Sequence, residues 1–182
     1  MTDRTQALSD LLAFQHETEA LASIAGRLEW DQETMMPAGA AVQRGEESAA
    51  ISGVLHARRT DPRIGDWLAA CEGARMSQAD AAKLRLIRRN YDRTLKVPAR
   101  LAIELARVTS VSQGKWAAAR AADDFAAFVP ALQEVVKLRQ EEGEALADGG
   151  DIYDALLDDY EPDMTAAHFA EHLVETRGGH VG

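Results

Sequence analysis

The spacing of apolar residues near the start of the chain leaves few architectures open to it. Leu8, Leu11, Leu12, Leu21, Ile24 and Leu28 recur at intervals of three, four and seven. That is the period of one helix face, and it predicts a long amphipathic helix over about Ala7 to Trp30. The same period returns throughout the 182 residues, and no stretch alternates apolar with polar at period two. No Asn-Gly or Asp-Gly lies between β-branched runs, so strands are not expected.

Prolines and capping residues divide this pattern into helices. Pro37 stops the first one, because the residue before a proline is pushed out of the helical region and the chain turns at Met36. After the Ala38-Gly39-Ala40 loop a second helix is expected to about Arg58. Asp61 can cap a third whose first residue is Pro62. That helix puts Ile64, Trp67, Leu68 and Cys71 on one face. Ser77-Gln78-Ala79-Asp80 resembles a capping box with aspartate in place of glutamate. The helix behind it places Leu84, Ile87, Tyr91 and Leu95 on an apolar stripe. Val97-Pro98 ends that helix and starts the next, which runs through Leu101, Leu105 and Val108 to Trp116, weakened slightly by Gly114. Asp123-Asp124 caps a short stretch with Phe125, Phe128 and Val129, which Pro130 is expected to interrupt. Leu132, Val135, Val136 and Leu138 then resume a helix as far as Asp148-Gly149-Gly150. Asp151 to Tyr160 reads as a short helix or turn, and Thr165 can cap a final helix. The expected fold is all-α, about seven or eight helices joined by short loops. Residues 1–175 would form a single helical domain and 176–182 an irregular tail.

Composition narrows the range of partners. A net charge of −10 repels phosphate backbones and anionic lipid, which argues against nucleic acid and membrane surfaces. No apolar run approaches the roughly 20 residues of a membrane span. The first residues, Met-Thr-Asp-Arg-Thr-Gln, carry no apolar signal core. Cys71 is the single cysteine, so no internal disulfide can form, as suits a reducing, cytoplasmic compartment.

Several groups invite a chemical reading. His168-Phe169-Ala170-Glu171-His172 is a literal H-x-x-E-H, which on a helix would put two imidazoles one turn apart. A zinc site of that kind needs a third ligand from a separate element. Glu175, one turn on, would make only a thin, exposed site. His16-Glu17 is half of a zincin motif, but Ala20 stands where the second histidine belongs. No histidine has a glutamate three residues before it, so a ferritin-like di-metal centre is excluded. Asp158, Asp159, Glu161 and Asp163 lack the spacing and glycine of a calcium loop and read as a solvated turn. Arg85, Arg88, Arg89, Arg93, Lys96 and Arg100 form the basic concentration of the chain. They read as a solvated face that could also receive a carboxylate from a peptide or an acidic segment. Cys71 has no nearby base and reads as core. Asp31 and Glu33, two apart on a helix, face different ways, so paired acid–base work is not expected. They should solvate the helix end while Trp30 and one methionine pack inward. On residues alone this is a helical domain with no catalytic, cofactor-binding or metal-binding residue that can be assigned.

One string goes further. Trp30-Asp31-Gln32-Glu33-Thr34-Met35-Met36-Pro37 resembles the Trp-Asp-x-Glu-Thr-x-Met-Pro signature of the carboxypeptidase Taq family of zinc metallocarboxypeptidases. Three later blocks are similar to that family in the same order. They are Ile87 to Arg93 with Val97-Pro98; Trp116 to Phe128 by way of Ala119-Arg120 and Asp123-Asp124-Phe125; and Tyr153 to Thr165. The second departs from the pattern, since the family more often shows Asn-Asp-Phe. The resemblance implies a cytosolic, mostly helical, usually homodimeric enzyme that removes C-terminal residues from peptides. It also implies zinc, or sometimes cobalt, held by His-Glu-x-x-His and a later glutamate. Those ligands follow the region matched here, so no position in this chain takes over a metal-binding or catalytic role. The ending Thr176-Arg177-Gly178-Gly179-His180-Val181-Gly182 reads as a fragment boundary, a frameshift or a premature stop. Two functions are therefore expected: the N-terminal part of such a carboxypeptidase, inactive alone, or a stand-alone helical interaction module that kept the scaffold.

Overall fold

The computed structural model describes residues 4–178, with the side chains of His172 and 174–178 outside the description. Among the described residues are eight α-helices, one 3-10 turn and no strand, as the apolar period predicts. They are α1 (Arg4–Thr34), α2 (Ala41–Arg59), α3 (Pro62–Ala70), α4 (Gln78–Lys96), α5 (Ala99–Ala121), α6 (Phe125–Ala147), α7 (Ile152–Leu157) and α8 (Ala166–Gly178). None of the described helices is long and apolar enough to cross a membrane. Two compact units result, Met1–Leu138 and Arg139–Gly182, with the boundary inside α6.

The first unit is built on α1, α2 and α5. α1 and α2 run antiparallel: Arg58 near the end of α2 reaches Phe14 and Thr18 near the start of α1, and Arg44 near the start of α2 reaches Leu28 and Asp31. α5 runs antiparallel to α2, with Glu46 paired to Arg107 and Ser52 donating to the Ala102 carbonyl. Small residues on α2 let these backbones approach. A Cβ at Gly45 would stand 2.7 Å from Val111 Cγ2, and one at Gly53 3.2 Å from Ile103 Cδ1. Ala49, Leu55, Leu101, Leu105 and Val108 are buried in this unit. Near the other end of α2, His56 Nε2 lies 2.7 Å from the Val97 carbonyl, at the junction where Pro98 opens α5.

At the start of α1, Leu11 and Phe14 pack with Ile64 and Leu68 of α3, and Trp67, Leu84, Ile87 and Tyr91 close over them. The stripe predicted on α4 thus faces the core, except that Leu95 is exposed. Phe14 also takes the Arg58 guanidinium on its face, 4.1 Å from the ring centroid. The predicted caps are formed. Asp61 accepts from the Arg63 amide and Ser77 from the Asp80 amide. In the box at Ser77, the hydroxyl also donates to the Asp80 carboxylate, 2.7 Å away. Asp80 is the shorter residue, one methylene less than the usual glutamate, and its carboxylate meets the Ser77 side chain.

The expected interruption at Pro130 does not occur. Asp124 caps α6 by accepting from the Ala127 amide, and the helix continues from Phe125 through Pro130 to Ala147. Pro130 stands in the second turn, where its missing N–H forfeits one hydrogen bond of a long ladder. The apolar residues before and after it then belong to one helix.

The second unit carries the protein's net charge. Residues 139–182 contain twelve Asp and Glu against two Arg, which accounts for the whole −10. Here carboxylates serve the backbone. Asp151 accepts from the Asp154 amide at the start of α7, Asp154 from the Ala166 amide at the start of α8, and Asp158 from the Asp163 amide. Thr165 Oγ1 accepts from His168 N at 3.3 Å, the cap expected there. A Cβ at Gly143 would come within 2.5 Å of Ile152 Cγ2, so α6 and α7 meet at hydrogen-atom distance. Of the tail expected over 176–182, α8 continues to Gly178, and residues 179–182 lie outside the described residues.

Candidate functional site

The Trp30 to Pro37 stretch is the last turn of α1 and the corner into α2. Its helix closes on Asp31, whose carbonyl accepts from both the Met35 and Met36 amides at 2.9 Å. The Asp31 side chain goes elsewhere. Its Oδ2 lies 2.5 Å from Nη2 of Arg44, a guanidinium whose side chain is only 10% exposed. Arg44 also donates to Glu47 at 3.0 Å and to the Leu28 carbonyl. The hydrogen bond it donates to Asp31 raises the Arg44 pKa above its ordinary value; burial opposes this, and Glu47 adds to it. A buried cation is costly unless its donors are satisfied, and here three acceptors meet it.

The next residues tie the same corner to α5. Gln32 Nε2 donates to the Ser110 carbonyl at 3.0 Å, while Ser110 Oγ donates to Gln32 Oε1 at 2.6 Å. Glu33 accepts from Gln113 Nε2 at 2.8 Å. Asp31 and Glu33 thus reach different helices, as their spacing predicts, and do not form a pair that could share a proton or a water. The expected inward packing is corrected: Trp30 is 63% exposed and Met35 70% exposed, while Met36 is half-buried. The α1 face toward α2 and α5 is taken by Asp31 and Gln32, so the indole one position before Asp31 is turned to solvent. Arg44, Ser110 and Gln113 were not singled out by sequence reasoning. Their partners lie on other helices, and no local pattern marks them.

The remaining candidates stay apart from this corner. His168 and Glu171 lie exposed on α8, while the side chains of His172 and Glu175 are outside the described residues. His16 is exposed on α1. In the acidic turn from Asp158 to Asp163, the Asp158 carboxylate accepts from the Asp163 amide at 3.0 Å. On α4, Lys83 pairs with Asp80 of the same helix and Arg88 with Glu72 of the turn that precedes it. Arg89, Arg93, Lys96 and Arg100 are also engaged. Cys71 is 4% exposed, and burial pushes its thiol pKa up, away from nucleophilic use. Among the described residues no three His, Cys, Asp or Glu side chains converge as a metal site.

An all-α scaffold whose first long helix ends in this signature places the chain in the class of helical metallopeptidases. It belongs to the carboxypeptidase Taq (M32) metallopeptidase family, whose pattern matches residues 10–177. It is 41% identical to thermostable carboxypeptidase 1 of Thermus thermophilus over 97% of this chain and 37% of the relative. Among solved structures it resembles metallocarboxypeptidase 1 of Trypanosoma cruzi, with a TM-score of 0.75 and 27% identity over 96% of this chain and 36% of that one. The BsuCP crystal structure shares the fold at a TM-score of 0.80 and 22% identity, over 96% of this chain and 35% of that one. The chain therefore spans about a third of the length of the relatives it matches.

Proposed function

We propose that this chain forms the N-terminal helical region of a metal-dependent carboxypeptidase, an enzyme that removes C-terminal residues from peptides. In that setting it walls the peptide groove and supports the helices that carry the catalysis, with zinc or cobalt held by residues outside this chain. The observation that carries the reading is the family match across residues 10–177, which leaves no major element of the chain unaccounted for. The clamped Trp30–Pro37 corner supports it, because the signature residues Asp31, Gln32 and Glu33 are all spent on fastening α1 to α2 and α5. As an isolated chain it is without peptidase activity. A reducing, cytoplasmic setting agrees with a single buried thiol.

Two measurements test this. The purified chain, supplied with zinc or cobalt, should release no C-terminal residue from an N-blocked peptide. Release that disappears in His168→Ala would overturn the claim. Grafting residues 10–177 in place of the matched segment of the Thermus enzyme should yield a folded chimera that still trims peptides. A folded but inactive chimera would count against a shared supporting role.

A further inference from the structure

We draw no further inference here: the strongest candidate, the exposed apolar surface patch of Trp30, Met35 and Val42 at the corner between α1 and α2, carries nothing because nothing in the structure shows what covers it.

Discussion

Asp31 and Arg44 meet across the α1–α2 corner with Oδ2 and Nη2 2.5 Å apart, one partner half-exposed and the other buried. The two single substitutions leave different groups behind. Removing Asp31 leaves a buried guanidinium with Glu47 and the Leu28 carbonyl, whereas removing Arg44 leaves two carboxylates that water can reach. Hydrogen bonds to charged groups contribute about 1.5–3 kcal/mol, so Asp31→Ala and Arg44→Met should each lower stability by an amount of that order. The double variant should lose at least ~0.5 kcal/mol less than the sum of the single ones. Urea denaturation of the four proteins of the cycle gives the coupling directly, and strict additivity would show that the two side chains do not interact in solution.

Gly45 and Gly26 should respond to alanine in opposite directions. A Cβ at Gly26, in the middle of α1, meets nothing within 4 Å, whereas at Gly45 it lies 2.7 Å from Val111 Cγ2. Gly26→Ala should stabilise by about 0.5–1 kcal/mol through helix propensity. Gly45→Ala should destabilise by about 1–3 kcal/mol through overpacking, in spite of the same propensity gain. Adding Val111→Ala to Gly45→Ala relieves the clash at the cost of a smaller core side chain. Thermal melts of the variants decide it, and a stabilising Gly45→Ala would mean that α2 and α5 are farther apart than described.

Asp61 gives the fold part of its acid sensitivity. Its carboxylate hydrogen-bonds the Arg63 guanidinium and the Arg63 amide, which hold its pKa below the ordinary carboxylate value. A group whose folded pKa is depressed contributes stability that is complete above its unfolded pKa of about 4 and is lost as pH falls through the folded value. Asp61→Asn keeps an oxygen to cap α3 but removes the titration. The slope of unfolding free energy against pH should therefore become shallower below about pH 4. An unchanged slope would show that the pairing with Arg63 does not persist in solution.

Asp154 links two helices of the second unit, since its amide is capped by Asp151 while its own Oδ1 accepts from the Ala166 amide at 2.7 Å. Asp154→Ala removes the acceptor at the start of α8, at a cost of about 0.5–2 kcal/mol, the range for a lost cap. Hydrogen exchange should quicken at Ala166 and the residues just after it while α1 and α2 keep their protection. Loss of protection across Met1–Leu138 as well would mean the two units unfold together.

Much of this protein was legible because the relevant physics is local. The apolar period in α1, the caps at Asp61 and Ser77 and the break at Val97-Pro98 all depend on residues within about one turn of each other. The four blocks that mark the family are short strings for the same reason. Pro130 shows where local rules overreach: a breaker read in isolation lost to a capped, apolar helix on both sides of it. The signature at Trp30–Pro37 could be named but not interpreted. Its aspartate looks like a solvating or catalytic group until Arg44, thirteen residues on, is seen to be buried against it. Gln32 likewise has its partner at Ser110, 78 residues away.

The sequence by itself determined the helical class, most helix ends and the family, because backbone hydrogen bonding and apolar period are satisfied within a segment. Which face of α1 turns inward was decided only by tertiary structure. There the cost of burying the Arg44 charge demanded acceptors from α1, and the close approach of α2 and α5 at Gly45 put Ser110 and Gln113 within reach of Gln32 and Glu33. With those side chains fastened inward, Trp30 and Met35 are left facing solvent.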